Sequence, residues 1–269
     1  MLYFTLNDGH KIPAVGSGTN TYGKENKDYS APINMDTTEL ASAIALGYRH
    51  FDTAISYRNE SVVAKAIRES GLDRSEFYIT SKIPGEPEFY ASEEATRRGV
   101  EQSLEALDTD YIDLYLIHHP WDNNEEILAM WRLLESYVDA GKLKSIGVSN
   151  FDEKQLGYLL EHGRIKPAVN QIQSNPNDWN DEIIRFSSEN GVHPEAWGPV
   201  RGIKNLESPE LAAIAAKYGK SPSQVIFRYQ LDRGVIIIPK SHNAERQAEN
   251  LDLFDFTLTE DERATIAAL

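Results

Sequence analysis

Cysteine is absent from the 269 residues of the chain. Disulfides, thiolate nucleophiles and cysteine-ligated zinc or iron–sulfur centres are therefore excluded, and a cytoplasmic setting is expected. Long apolar runs are missing too. The longest, Leu211 to Ala216, falls far short of the roughly 20 residues that cross a bilayer. The N-terminal stretch from Met1 to Gly9 has neither a basic start nor a continuous apolar segment, so no secretory signal is expected. Positive charge is scarce: 27 Lys+Arg face 42 Asp+Glu, a formal net charge of −15. A field of that sign repels nucleic-acid phosphates and anionic lipid, so neither nucleic acid nor membrane is an expected partner. A small anionic ligand is compatible with it, since a few local cations and backbone N–H groups outweigh a diffuse field.

With 41% apolar and 26% charged residues, the chain has the makings of a packed core. No proline- or serine-rich boundary splits it, and residues 1–269 read as a single domain. Short β-branched or aromatic runs alternate with longer amphipathic segments from residue 36 onward. Eight strand candidates result: Val15–Thr19, Tyr48–Thr53, Phe77–Lys82, Tyr111–His118, Leu143–Ser149, Ala168–Gln171, Val192–Trp197 and Val235–Pro239. Helical segments separate and follow them. Thr259 with Glu262 has capping-box spacing, and Asp36 with Glu39 imitates it. Pro209 and Pro222 each follow a serine, as first helical residues after an N-cap, while Gly141, Gly163, Gly191 and Gly219 stand where left-handed C-terminal residues are wanted.

Ahead of this series, Tyr3–Leu6, Asn7-Asp8-Gly9 and His10–Pro13 read as a hairpin with a tight Asp-Gly turn. Tyr22–Asn34 is polar and aperiodic and reads as a surface loop. Eight strand–helix units in about 250 residues predict a (β/α)8 TIM barrel, with the N-terminal β-hairpin closing the bottom. The rival, a doubly wound open sheet, needs a Gly-x-Gly-x-x-Gly turn. Here Gly16-x-Gly18 is followed only much later by Gly23, and Asp36 opens a helix rather than ending a second strand.

Chemistry in such a barrel sits at the C-terminal strand ends, and these ends are polar: Asp52 with Tyr57 five residues on, Lys82, His118, Ser149 and Asn150, Gln171, Trp197, then Lys240 and Ser241. Singly, each has a bland structural explanation. Together they would bring four titratable groups of different types to one mouth.

The segments Gly47-Tyr-Arg-His-Phe-Asp-Thr-Ala-Ile-Ser-Tyr57-Arg-Asn-Glu60, Ile79-Thr-Ser-Lys82, Asp110-Tyr-Ile-Asp-Leu-Tyr-Leu-Ile-His118, Gly147-Val-Ser-Asn150-Phe, Val169-Asn-Gln171 and Ile238-Pro-Lys-Ser241 resemble the aldo-keto reductase superfamily, in family order over nearly the whole chain. The likeness extends to its short bacterial diketogluconate-reductase-like members. It implies a catalytic tetrad of Asp52, Tyr57, Lys82 and His118. Reducing a carbonyl takes a hydride on one face and a proton on the oxygen. In the expected scheme Lys82 lowers the pKa of Tyr57, the acid, Asp52 keeps Lys82 charged, and His118 orients the carbonyl.

The resemblance also implies NADPH as cofactor. Thr19, Asp52, Ser149, Asn150 and Gln171 would hold the nicotinamide end, with Trp197 stacked on the ring. Lys240, Ser241 and Arg246 would grip the 2′-phosphate, and Glu249 and Asn250 would lie near the adenine. Departures from the common pattern nominate Asn20, Ile55, Pro84, His119, Trp121 and Asn175 as the substrate wall. Longer members carry a tail over the mouth, whereas this chain ends at Ala267-Ala268-Leu269, so an open pocket is expected. A small-molecule carbonyl substrate, a monomeric state and no metal complete the expectation. His118-His119 does not read as a metal pair, because adjacent strand residues point to opposite faces and no third ligand falls at ligand spacing. The alternative reading is a non-catalytic or redox-sensing nicotinamide-binding protein on the same fold.

Overall fold

The computed structural model describes residues 2–201 and 208–269. Strands β1 (Tyr3–Thr5) and β2 (Lys11–Pro13) form the antiparallel hairpin, in register Tyr3 to Pro13. The main sheet comprises β3 (Ser17–Gly18), β4 (His50–Asp52), β5 (Tyr78–Ile83), β6 (Ile112–Ile117), β7 (Leu143–Ser149), β8 (Val169–Gln173), β9 (His193–Trp197) and β10 (Ile236–Ile237). All eight run parallel in chain order. The ring closes where Val15 bridges Ile237, with Gly16 N–H donating to Ile237 O at 2.8 Å and Ile237 N–H to Ala14 O at 3.0 Å. This is the (β/α)8 barrel that the alternation predicts.

Around the sheet lie α1 (Thr38–Leu46), α2 (Glu60–Ser70), α3 (Pro87–Tyr90), α4 (Glu93–Ala106), α5 (Asn124–Asp139), α6 (Glu153–His162), α7 (Asp181–Glu189), α8 (Pro209–Tyr218), α9 (Pro222–Asp232), α10 (Ala244–Leu251) and α11 (Glu260–Ala267). Their apolar faces pack on the sheet's outer residues, among them Tyr115, Ile117, Ile146 and Val148, with Trp131 of α5 fully buried. Each such large side chain contributes about 1.5–3 kcal/mol by leaving water. Capping boxes form at Thr259 and Glu262 and at Ser221 and Gln224, and the two prolines occupy first-turn positions.

Two local expectations need correction. Asp36 accepts from Thr38 N–H and hydroxyl, but Glu39 turns away to His242, so no reciprocal box forms there. Gly163 has φ −77°, not left-handed; a Cβ there would meet Leu159 O at 2.8 Å and Trp131 Nε1 at 2.9 Å, so glycine permits a close approach instead. Helix α3 is a short extra element opened by Pro87. Residues 22–34 form the expected surface loop, exposed over 25–30, and it is anchored at its start: Tyr22 and Lys24 are buried, Lys24 bridges Ile33, and Gly23 O accepts from Asn34 N–H.

The hairpin lies at the N-terminal ends of the strands, where Asn7 Nδ2 donates to Pro167 O at 2.8 Å and to Gly191 O at 3.0 Å. Leu6 and Ile12 pack with Tyr78, Leu114, Ala168, Val169 and Ile236 inside the barrel. That end is filled by apolar side chains, and room for a ligand is left at the opposite end.

Candidate active site

Strand β4 delivers Asp52 at its last position. The chain then turns through a short 3-10 helix, Ile55–Tyr57, ended by Arg58 at φ 60°, and this turn brings Tyr57 back over the barrel mouth. Lys82, fully buried in β5, donates from Nζ to Asp52 Oδ1 at 2.7 Å, Thr53 O at 2.9 Å and Tyr57 Oη at 3.3 Å. The ring of His118, just beyond β6, meets the Tyr57 ring edge-on at 5.5 Å between centroids.

Electrostatics follow from this burial. Desolvation works against the Lys82 ammonium, but Asp52 and Tyr57 outweigh it and raise its pKa above the usual 10.5. Burial is also the larger influence on Tyr57 and raises its pKa above 10 despite the pull of Lys82. Lys82 pulls in the expected direction and burial exceeds it, so the hydroxyl rests as a neutral acid beside a permanent cation. Burial, then Lys82 and His119, push His118 down to about 2, so its imidazole is neutral. His118 Nδ1 is buried without a partner among the described residues, which leaves Nε2 to meet the cavity.

That cavity measures about 680 Å³, within the range of small-molecule sites. Of the nominated residues, Thr19, Asn20, Asp52, Tyr57, His118, His119, Ser149, Asn150, Gln171, Trp197 and Lys240 line it. Asn150, at φ 62°, donates from Nδ2 to His118 O, His119 Nδ1 and Ser149 Oγ, while its Oδ1 accepts from Trp197 Nε1 at 2.9 Å. One amide thus ties three strand ends together. Lys240 Nζ reaches Asn20 Oδ1 and Thr21 Oγ1, both at 2.8 Å, and burial together with Arg201 lowers its pKa.

Other nominated residues lie off this wall. Ser241, Arg246, Glu249 and Asn250 cluster at and within α10 beyond the cavity; Ser241 Oγ caps Asn243, and Arg246 N–H donates to Asn243 Oδ1. Ile55 is packed in the outer core, and Pro84 is buried and does not line the cavity. Trp121 stacks on Tyr90 at 4.2 Å with Nε1 on Glu126 Oε2. Asn175 Nδ2 donates to Gly198 O. His118 and His119 stack at 4.4 Å with both rings toward the cavity, because they follow β6 rather than belonging to it; the opposite-face argument does not apply to them.

Sequence reasoning missed Tyr29, Val200, Arg201 and Glu195. The first three are cavity walls from loops. Tyr29 stands over Tyr57, 6.1 Å between ring centroids, and its carbonyl accepts from Lys24 Nζ and Arg58 Nη2. Aperiodic loops carry no signal for such a position. Glu195 had one: it alternates with His193 and Trp197 along one strand face.

Residues 14–269 match the model of the aldo/keto reductase family. The chain belongs to that family. This aldo/keto reductase is 40% identical over 264 residues to a glyoxal reductase of Bacillus subtilis, covering 98% of this chain and 91% of that one. It is 38% identical over 266 residues to 2,5-diketo-D-gluconic acid reductase B of a Corynebacterium, covering 98% and 92%. An aldo-keto reductase solved in complex with NADPH superposes at TM-score 0.88 with 33% identity, covering 99% and 86%. The aldo/keto reductase described here is therefore an oxidoreductase of a carbonyl-reducing family. No helix among its described residues is long and apolar enough to cross a membrane.

Proposed function

We propose that the protein reduces a small aldehyde, ketone or dicarbonyl to the alcohol with NADPH, Tyr57 serving as general acid. The observation that carries this reading is the placement of Lys82 Nζ between Asp52 Oδ1 and Tyr57 Oη beneath a ligand-sized cavity. A hydride acceptor develops negative charge on its carbonyl oxygen, and the neutral Tyr57 hydroxyl is the acid that meets it. As that proton leaves, Lys82 stabilises the phenolate. Asp52 keeps Lys82 charged inside the barrel. Neutral His118 donates a hydrogen bond to the same oxygen and fixes its approach.

The donor set suits a nicotinamide cofactor, which when bound supplies the hydride. Ser149, Asn150 and Gln171 offer the mixed donors and acceptors a carboxamide needs, and the Trp197 indole offers a flat face. Thr19, whose hydroxyl and N–H both donate to Asp52 O, holds the cavity floor to β4. Lys240 and Arg201 provide positive charge for the phosphates, and Ser241 and Arg246 at the start of α10 suit the 2′-phosphate, with Glu249 and Asn250 further along the helix beside the adenine. Asn20, His119 and Tyr29 remain as the substrate side of the cavity.

The test is steady-state oxidation of NADPH and NADH with glyoxal, methylglyoxal, benzaldehyde and a keto-sugar, repeated for Tyr57→Phe. We expect turnover, with kcat at least ~10²-fold lower in the variant, the scale for losing a positioned acid, and NADPH affinity within a few-fold. Wild-type turnover by Tyr57→Phe would remove that residue from the mechanism. Arg246→Ala should weaken NADPH by about 1.5–3 kcal/mol while changing NADH little; equal losses would remove the 2′-phosphate role.

A further inference from the structure

Glu195 is an acid for which the proton path has no use. It has no solvent exposure, sits midway along β9 and is in register with Gln171 of β8. Gln171 Nε2 donates to Asp52 Oδ2 at 2.8 Å and also to Glu195 Oε1. A primary amide has two N–H groups and one carbonyl oxygen. With both N–H groups spent on carboxyl oxygens, the carbonyl oxygen is what Gln171, a cavity-lining residue, has left for a ligand.

We propose that Glu195 is a positioning residue which fixes the Gln171 amide, so that its oxygen faces the cavity to accept from the cofactor carboxamide and its nitrogen holds Asp52 against Lys82. This rests on the nicotinamide reading above. Without Glu195, one amide N–H loses its partner and Asp52 alone holds the amide, which then offers its oxygen to the carboxamide less firmly.

The charge balance of the interior agrees. Facing Glu195 are Asp52 from β4, Lys82 and the Tyr78 hydroxyl from β5, and the uncharged Gln171 from β8. One ammonium balances one carboxylate. Burial first, and then Asp52, push Glu195 up to about 8, so at neutral pH it carries its proton. As a neutral acid it accepts from Gln171 without competing with Asp52 for Lys82. Its Oε2 is buried with no partner among the described residues, a position where a hydroxyl costs far less than a carboxylate oxygen. Above pH 8 an ionised Glu195 still accepts from Gln171 but competes with Asp52 for Lys82, which loosens the Asp52 end of the shared amide and weakens cofactor binding.

The experiment titrates NADPH and NADH into wild type, Glu195→Met and Glu195→Gln from pH 6 to pH 9, following tryptophan quenching, with carbonyl reduction measured in parallel. Methionine keeps the volume and removes the acceptor; glutamine mimics the protonated acid. Expected at pH 7 is cofactor binding about 10-fold weaker in Glu195→Met with kcat lowered about 10-fold, recovery to within about 3-fold in Glu195→Gln, and loss in Glu195→Gln of the weakening that wild type shows above pH 8. Unchanged cofactor affinity in a folded Glu195→Met, or an alkaline loss in Glu195→Gln equal to that of wild type, overturns the proposal. Should the methionine variant fail to fold, the pH profile of the glutamine variant decides alone. A wild type that binds cofactor without turnover overturns carbonyl reduction but leaves the binding comparison to decide Glu195; one that binds neither cofactor overturns both.

Discussion

The two ends of the barrel interior solve opposite problems with the same strands. Toward the hairpin, Leu6, Ile12, Leu114, Val169 and Ile236 fill the space with apolar side chains that need no partners. Toward the mouth, β4, β5, β8 and β9 turn Asp52, Lys82, Gln171 and Glu195 inward, and each is held by another of the set. The lower layer stabilises by leaving water. The upper layer costs stability, since buried charges recover their desolvation only through pairing, and its return is a cation held beside a tyrosine.

Breaking the upper layer should therefore hurt most. Lys82→Met leaves Asp52 buried and unpaired; we expect about 3–5 kcal/mol less stability in urea unfolding together with loss of turnover by ~10²-fold or more. A stable, active Lys82→Met would undo the contrast. Leu114→Ala, in the lower layer, should lose about 2–5 kcal/mol yet keep kcat per folded molecule within about 2-fold, measured well below its melting temperature.

The comparison is sharpened by two histidines. Burial lowers His50 from 6.5 to about 3 and His118 to about 2. Below pH 6.5 the unfolded chain takes up protons on these residues that the folded chain refuses, so stability falls as pH falls, by about 1.4 kcal/mol per unit for each histidine. Urea midpoints at pH 7 and pH 5 should show this slope, and His50→Gln should remove part of it while leaving the pH profile of kcat unchanged. A slope identical in the variant would mean that His50 is not neutral in the fold. Smallest is the expected effect of Tyr29→Ala: about 10-fold in kcat/KM for benzaldehyde relative to methylglyoxal, because lost apolar contact scales with substrate size. Equal factors for the two substrates would take Tyr29 out of the substrate wall.

Elements with a periodic or capping signal were readable from the chain. Thr259 and Glu262, Pro209 after Ser208, and the alternation of strands and helices each encode a local geometry that the fold keeps. Residues whose role depends on what crosses the barrel were not. Glu195 carries the right alternation, but alternation alone does not say which face of a strand points inward, nor that Gln171, 24 positions earlier, would share its amide. Tyr29 reaches the mouth because Lys24 and Arg58 fasten its carbonyl, contacts without period or motif. Trp121 and Asn175 were nominated from departures in pattern, and the structure shows them bracing loops outside the cavity.

The ring is joined by Val15, just ahead of its first strand, and Ile237 of its last. Those partners lie more than two hundred residues apart along the chain, so a polypeptide emerging from the ribosome can stack β4 through β9 in order but has no cylinder until residue 237 is free. Loop-closure entropy makes such a distant pairing late in folding as well. Until the first and last strands meet, the completed sheet has two open edges, and β3 and β10, only two residues each, offer little template for pairing with another chain. Shortness at the seam weakens the joint and, by the same geometry, protects the unfinished molecule.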